Sequence, residues 1–231
     1  MRAILLAGGY GTRLRPITIS TPKCLVPIGD KPLLAYWLEN LKLAGINSFL
    51  INTHYLREQV ESFVSDSEYR DSVQLVYENE LLGTAGTLIS NLNFYNGEDG
   101  LLIHADNFCN INIEEFMKAH KSRPNECIIT MLTFRTEDPH SCGIIELDEK
   151  NIVRGFYEKV KDPPGNLANG AIYILSPEFL DWIKNNQKGV SDFSRDIIPA
   201  LIGKIFTYEA KGIFLDIGSV ENYQRACQLM G

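Results

Sequence analysis

The residues best suited to chemistry lie near the start of the chain, where a short apolar run leads into a glycine-rich turn. Residues 3–6 have the character of a strand buried on both faces, and Gly8, Gly9 and Gly11 follow them. Glycines permit backbone angles and close approaches that a Cβ would prevent. Backbone amides in such a turn can face an anion, so this segment predicts a phosphate-binding loop.

Two cations follow the glycines and strengthen that prediction. Arg13 offers a planar pair of donors suited to phosphate oxygens, and Lys23 adds a compact charge. The segment is not a Walker A loop, because Arg13 follows Gly11-Thr12, and it is not a dinucleotide fingerprint, because Leu14 replaces the third glycine. A tight strand-to-helix turn without a ligand is the alternative. The two cations favour a polyphosphate site.

Two aspartates have the placement of metal ligands. Asp106 comes shortly after the apolar run at residues 101–103, so we expect it at the carboxyl end of a central strand, where open α/β sheets bind ligands. Mg²⁺ is commonly held by one or two carboxylates together with substrate phosphates. Asp216, which follows Phe214 and Leu215, could supply the second carboxylate. Either aspartate alone could instead cap a helix or lie in a loop.

The elements that must position these residues alternate in type along the first half of the chain. Leu34, Trp37, Leu38 and Leu41 repeat at helical spacing, which predicts a helix over residues 33–44 between two apolar strands. Such alternation predicts an α/β fold with a doubly wound, mostly parallel mixed sheet. The second half has strands without intervening helices, which predicts a small antiparallel sector. Its expected strands are residues 127–134, 143–147, 152–157 and 171–175.

Composition narrows the class of protein. The 231 residues, 45% of them hydrophobic and 22% charged, are typical of a globular protein with one sizeable core, and we expect a single domain. The net charge of −7, without a basic block, argues against nucleic-acid binding. The five cysteines are scattered, which favours reduced thiols and a cytoplasmic location. No apolar stretch is long enough to predict membrane insertion.

The motifs taken together resemble those of the sugar-1-phosphate nucleotidylyltransferases. The opening pattern at residues 8–16, extended by Thr18, Pro22-Lys23 and Pro27, is specific to that family. Within the family, the chain most resembles the mannose- and heptose-1-phosphate guanylyltransferases. The later motifs would be weak alone, but they occur in the family's order over essentially the whole chain. They are residues 82–86, 104–106, 158–159, 169–170 and 214–218.

This resemblance implies a fold, a reaction and a set of site residues. The fold would be Rossmann-like and similar to glycosyltransferase A, with one catalytic domain over residues 1–231 that binds nucleotide through about 1–125 and sugar phosphate through about 126–231. The reaction would be Mg²⁺-dependent nucleotidyl transfer from a nucleoside triphosphate to a sugar 1-phosphate. The implied catalytic residues are Arg13, Lys23 and Asp106, and the implied metal ligands are Asp106 and Asp216. The implied nucleotide-binding residues are Leu6, Ala7, Gly8, Gly9, Gly11, Thr12, Arg13, Glu78, Gly83 and Thr84. The implied substrate-binding residues are Asp106, Gly143, Glu158, Lys159 and Asn169.

The choice of base depends on Glu78. Its carboxylate could accept hydrogen bonds from guanine N1–H and N2–H₂ together, whereas uracil and thymine offer one imide donor, so GTP is favoured. Enzymes that use UTP or dTTP, a CTP-dependent cytidylyltransferase acting on a non-sugar phosphate, and a silent nucleotide-sugar sensor are alternatives. Ala105 and Cys142 depart from the family's usual glycine and aromatic residue. The sugar is open, and we expect a monomer or homodimer.

Overall fold

The computed structural model describes residues 1–230, which form an α/β protein. The strands are β1 Arg2–Leu6, β2 Pro27–Ile28, β3 Lys31–Pro32, β4 Phe49–Thr53, β5 Val73–Tyr77, β6 Gly100–His104, β7 Asn107–Asn110, β8 Ile129–Arg135, β9 Gly143–Leu147, β10 Val153–Glu158, β11 Leu167–Leu175, β12 Ile205–Glu209 and β13 Ile213–Asp216. The helices are α1 Leu33–Leu43, α2 Arg57–Ser65, α3 Gly83–Ser90, α4 Ile113–Lys121, α5 Pro177–Asn185, α6 Ile198–Ala200 and α7 Val220–Met230, and a π-helical segment spans Phe193–Ile197.

Nine of the strands belong to one large mixed sheet, so the predicted α/β class is confirmed. The chain also divides into two compact units. The first, here called the glycine-loop unit, comprises Arg2–Leu81, Ile103–Ile113 and the described residues from Gly212 onward. The second, here called the antiparallel unit, comprises Met1, Leu82–Leu102 and Glu114–Lys211.

In the glycine-loop unit, β1, β4 and β5 are parallel neighbours in that order. The side chains of Ala3, Ile4 and Leu5 in β1 are fully buried, as expected of a strand covered on both faces. Parallel strands bring their carboxyl ends to one edge of a sheet. The glycine-rich loop, the end of β4 and the residue after β5 therefore lie at the same edge.

A smaller hydrophobic cluster in the same unit packs against the glycine-rich loop. β7 and β13 pair antiparallel, and Phe108 and Leu215 from these strands pack with Leu14, Ile217 and Ala226. Burying these apolar side chains is worth about 1.5–3 kcal/mol for each large one. Leu14 belongs to the loop itself, so this cluster fixes the loop against β7 and β13.

The antiparallel unit has the strand order β10, β9, β11, β8, β12. All of its neighbouring strands are antiparallel except β8 and β12, which are parallel. The turn between β9 and β10 is held by Asp148, whose Oδ1 accepts hydrogen bonds from the amides of Lys150 and Ile152. The predicted antiparallel sector is thus present, and it also includes β12, which sequence periodicity did not identify. None of the helices within residues 1–230 combines the length and apolar character needed to cross a membrane.

Candidate functional site

The glycine-rich loop has an exposed amide of the kind that anion binding requires. Among residues 1–230, neither Gly8 nor Gly9 donates a backbone hydrogen bond; Gly9 is exposed, whereas Gly8 is buried. Gly11 adopts a φ of +61°, and a Cβ there would come within 2.9 Å of the Thr18 methyl group. Its carbonyl accepts a 2.7 Å hydrogen bond from Thr18 Oγ1, which closes the loop. Ala7 was expected to bind the nucleotide, but its backbone amide already donates a hydrogen bond to Asn52 Oδ1 at 2.7 Å.

Four charged side chains from distant parts of the sequence meet in the glycine-loop unit. Lys23 Nζ lies 2.8 Å from Asp106 Oδ2 and 3.6 Å from Asp216 Oδ1. Arg13 Nη2 lies 3.6 Å from Asp216 Oδ2. The pairing of Asp216 with Asn107 between β13 and β7 brings the two aspartates together, because Asp106 directly precedes Asn107. We call these four residues the charged cluster.

Exposure within the charged cluster is uneven. The Lys23 side chain is 8% exposed, whereas those of Asp106 and Asp216 are 40% and 41% exposed. Desolvation raises the pKa of Asp106, but the Lys23 ammonium, His104 and the hydrogen bonds to the carboxylate together outweigh this effect and hold the pKa below its ordinary value. Asp106 is therefore ionised at neutral pH. Neighbouring Cys24 is buried, and burial raises the pKa of its thiol to about 12, so it is no nucleophile.

The two carboxylates of the charged cluster fit a shared magnesium ion. Both approach a single cationic atom, Lys23 Nζ, so they already converge on one positive charge. Within the described chain, no three His, Cys, Asp or Glu side chains converge to hold a metal by themselves. Mg²⁺ takes most of its ligands from water and phosphate and few from protein carboxylates, so two convergent carboxylates match its donor preference.

Glu78 lies directly after β5 and is 4% exposed. Its Oε1 accepts a 3.1 Å hydrogen bond from Asn52 Nδ2, and its amide donates to the carbonyl of Thr53. Its backbone carbonyl lies 2.8 Å from His54 Nδ1. Glu78 is therefore a buried residue held by the end of β4.

Three residues that contact the predicted ones had no role assigned from the sequence. Asn52 and His54 are polar residues at the end of a buried strand, which is a usable signal because α/β sheets bind ligands there. Gly218 lies in the motif at residues 214–218, but its own role depends on tertiary contact. A Cβ on Gly218 would come within 2.7 Å of Arg13 Nη2, so the missing side chain lets the guanidinium approach Asp216.

The predicted sugar-side residues lie in the antiparallel unit. Gly143 and Glu158 are register partners in β9 and β10, and a Cβ on Gly143 would come within 2.6 Å of Glu158 Oε2. Lys159 Nζ lies 3.6 Å from Glu158 Oε1. Lys159 has a φ of +52° and a side chain that is 57% exposed, so its ammonium is available to an anion.

The side chain of Asn169, which the resemblance assigns to substrate binding, forms hydrogen bonds within the protein. Its Oδ1 accepts from the Ala171 amide at 2.9 Å, and its Nδ2 donates to Tyr173 Oη at 2.8 Å and Ser194 Oγ at 3.5 Å. Burial raises the pKa of Tyr173, so its phenol stays protonated. These contacts give Asn169 a defined role in shaping β11, while its contact with a sugar stays a prediction.

Ala171 carries backbone strain that a single substitution should relieve. Its φ of +54° lies in the left-handed region, which costs about 1–2 kcal/mol for a residue with a Cβ. Ala171→Gly should raise the free energy of unfolding by up to about 1 kcal/mol, because glycine's greater chain entropy offsets part of the relief. Urea unfolding measures it. Ala119→Gly within α4 is the control and should lose about 1 kcal/mol; equal losses at both positions would contradict the strain argument.

The turn at residues 83–86 is anchored to the segment before the π-helix. Gly83 has a φ of +78°, and a Cβ there would overlap the Ser191 carbonyl oxygen. That oxygen accepts from the amides of Ala85 and Gly86. Thr84 does not cap α3; its Oγ1 instead accepts a 2.7 Å hydrogen bond from the Phe193 amide. The turn is thus rigid, and its glycine is required by sterics.

Comparison with known proteins identifies the family. The nucleotidyl transferase family model matches residues 2–230, and the chain belongs to this family, which confirms the resemblance predicted from its motifs. Two relatives are the mannose-1-phosphate guanylyltransferase catalytic subunits beta of Xenopus tropicalis and Drosophila melanogaster. They are 33% and 30% identical over 96% of this chain, which spans 62% and 60% of their lengths, or about three fifths.

A similar fold is found in a Bacillus anthracis crystal structure. That protein, provisionally named glucose-1-phosphate thymidylyltransferase, was solved in complex with sucrose. The TM-score is 0.88 and the sequences are 25% identical, with 100% of this chain and 95% of that chain covered. The likeness therefore extends over all of this chain and nearly all of that one.

Proposed function

We propose that this protein transfers a nucleotidyl group from a nucleoside triphosphate to a sugar 1-phosphate. A phosphate oxygen of the sugar 1-phosphate forms a bond to the α-phosphorus, and the bond from that phosphorus to the bridging oxygen of the β-phosphate breaks. The products are a nucleoside diphosphate sugar and pyrophosphate. The attacking phosphate is anionic near neutral pH, so no general base is required.

One observation carries this proposal: the charged cluster has two cations and two carboxylates in the same unit as a loop whose exposed Gly9 donates no backbone hydrogen bond. Open amides and cations suit phosphate oxygens, whereas a pair of carboxylates suits a hard metal ion. A fold without phosphate chemistry has no need of both features in one place. Family membership over residues 2–230 supports the same conclusion.

Each charged residue then has a distinct task. Arg13 balances charge on the departing pyrophosphate, and Lys23 neutralises the reacting phosphates. Lys159, in the antiparallel unit, binds the incoming sugar phosphate. Asp106 and Asp216 would hold Mg²⁺, which supplies charge stabilisation at the phosphates when bound. Rate enhancement comes from positioning and electrostatic stabilisation, because no covalent enzyme intermediate forms.

We propose GTP as the preferred triphosphate, with Gly83 and Thr84 retained as nucleotide-binding residues. Asn52 and the backbone of Thr53 fix the position of Glu78, whose carboxylate is the proposed acceptor for guanine. The relatives at 33% and 30% identity are named as guanylyltransferases, which supports the same base. A dTTP-using enzyme is the second candidate, favoured by the name of the Bacillus anthracis protein. The proposal also includes one catalytic domain, a cytoplasmic location and a monomer or homodimer.

A matrix of nucleoside triphosphates against sugar 1-phosphates, scored by pyrophosphate release, tests the proposal. We expect release with GTP and at least one hexose or heptose 1-phosphate, and none without Mg²⁺. Release with CTP and a non-sugar phosphomonoester would support a cytidylyltransferase instead. Tight binding of a nucleotide sugar without turnover of any pair would support a silent sensor and overturn the proposal.

Glu78→Gln tests the base assignment within this scheme. A glutamine amide presents one acceptor and one donor, so it cannot receive both guanine protons and can pair with a pyrimidine imide. The ratio of kcat/KM for GTP to that for dTTP should fall by an amount worth roughly 1–3 kcal/mol. Exposed Glu80 provides the control, because Glu80→Gln should leave the ratio unchanged. A wild-type preference for UTP or dTTP, or an unmoved ratio in Glu78→Gln, would refute the guanine assignment.

A further inference from the structure

Two side chains at the end of β4 connect Glu78 to the glycine-rich loop. Asn52 is 4% exposed and uses both ends of its amide: Oδ1 accepts from the Ala7 amide at 2.7 Å and Nδ2 donates to Glu78 Oε1 at 3.1 Å. Because an amide has distinct donor and acceptor ends, these partners fix its orientation. Asn52 therefore joins the carboxylate of Glu78 to the first amide of the loop.

His54 forms a second connection between the same two parts. Its Nδ1 lies 2.8 Å from the Glu78 carbonyl oxygen and its Nε2 lies 2.8 Å from Tyr10 Oη. A carbonyl can only accept, so Nδ1 carries the hydrogen; Nε2 of the neutral ring is then an acceptor, and Tyr10 donates to it. Tyr10 is the residue between Gly9 and Gly11, so this bond holds the middle of the loop.

Further contacts limit the movement of the same loop. The Tyr10 and His54 rings meet edge to face at a centroid distance of 5.2 Å, and Tyr10 lies 5.5 Å from the Tyr55 ring. Tyr55 Oη donates to the Ile19 carbonyl at 3.0 Å, and Gln59 Nε2 donates to the Ser20 carbonyl at 2.8 Å. The segment at residues 52–59 thus holds the loop at Ala7 and Tyr10 and the chain shortly after it at Ile19 and Ser20.

We propose that Asn52 and His54 are positioning residues that join Glu78 and the glycine-rich loop into one rigid frame. Neither residue was assigned a task by the motifs. A displacement of the base at Glu78 is transmitted through these bonds to the loop that holds the triphosphate, so base recognition and phosphate binding depend on each other. The inference rests on the proposed function, since the frame matters only if the loop binds a nucleoside triphosphate.

The two bonds of His54 can be separated by substitution. An asparagine amide reaches about as far as Nδ1 and a glutamine amide about as far as Nε2. His54→Asn should keep the bond to Glu78 and lose Tyr10, whereas His54→Gln should keep Tyr10. Tyr10→Phe removes the same bond from the other side by deleting one oxygen of a residue that is 45% exposed. It tests the proposal even if a His54 variant fails to fold.

The test is a double-mutant cycle with Tyr10→Phe and His54→Asn, measured by the KM for GTP and by hydrogen–deuterium exchange of residues 7–15. Each single change should raise this KM about 3- to 10-fold, the effect of one neutral hydrogen bond, and should speed exchange in the loop. The double variant should show no more than the larger single effect, His54→Gln should retain slow exchange, and the KM for the sugar 1-phosphate should not move. Tyr208→Phe, which removes an exposed hydrogen bond to Glu115, is the control.

Two results would overturn the frame. One is a KM for GTP in the double variant that rises by the product of the two single effects. The other is equal loop exchange in His54→Asn and His54→Gln. The exchange measurement needs no ligand and no turnover. If the wild-type protein failed to turn over any triphosphate, the proposed function would fail, while altered loop exchange would still support the frame. Unchanged exchange in an active enzyme would refute the frame alone.

Discussion

Asp106→Asn is expected to lower turnover by about 10³-fold or more while the protein stays folded. The substitution replaces a charged carboxylate, proposed as a metal ligand, by a neutral amide, and the loss of several kcal/mol of charge stabilisation at a reacting phosphate accounts for that factor. The fold should persist because an asparagine oxygen can still accept from Lys23, and Asp216 remains 3.6 Å from the same ammonium. Pyrophosphate release measures turnover, and circular dichroism measures folding.

Asp71→Asn is the matched control for this variant. Asp71 has an 89% exposed side chain that only pairs with Arg70, so its replacement should leave turnover near that of the wild type. Titrating Mg²⁺ adds a second criterion. If Asp106 contributes to charge stabilisation at the reacting phosphate, saturating Mg²⁺ should not restore the turnover of Asp106→Asn. A near wild-type rate at saturating Mg²⁺ would refute the metal assignment of Asp106.

Lys23→Met should be almost as damaging, with turnover reduced by about 10²–10³-fold. The variant removes a cation proposed for the reacting phosphates, and the loss of one preorganised donor has an effect of this order. Lys23→Arg should not restore activity, because the side chain is only 8% exposed and a guanidinium is larger than an ammonium. The exposed pair of Lys42 and Glu68 offers a control in Lys42→Met.

The pH dependence of Lys23→Met provides a separate check. Lys23 helps to hold the pKa of Asp106 below its ordinary value, so in the wild type Asp106 keeps its charge to a lower pH than a free aspartate does. Without the ammonium this pKa rises, because the attraction and the hydrogen bond from Lys23 that favour the charged carboxylate are lost. The acid limb of kcat/KM should therefore move to higher pH in the variant. An acid limb that moves to lower pH would contradict the proposed pairing.

Local patterns in the sequence determined much of the fold. Helix α1 and strand β1 follow their predicted positions closely, because α1 buries an apolar stripe at helical spacing and β1 buries a continuous apolar run. Other elements gave weaker signals. β7 and β13 are only four residues long each, and they are stable through pairing with each other and through the hydrophobic cluster around Phe108, a contact between segments about 100 residues apart.

The glycine-rich loop and the residue types of the charged cluster were evident from the sequence, since three glycines, an arginine and a lysine in close succession have few structural uses. The sequence could not show that Asp106 and Asp216 would both lie within 3.6 Å of Lys23, because that depends on the register between β7 and β13. Nor could it show that Asn52 and His54 bond both Glu78 and the loop. Hydrogen bonds between distant segments depend on side-chain directions, and only packing in three dimensions sets these directions.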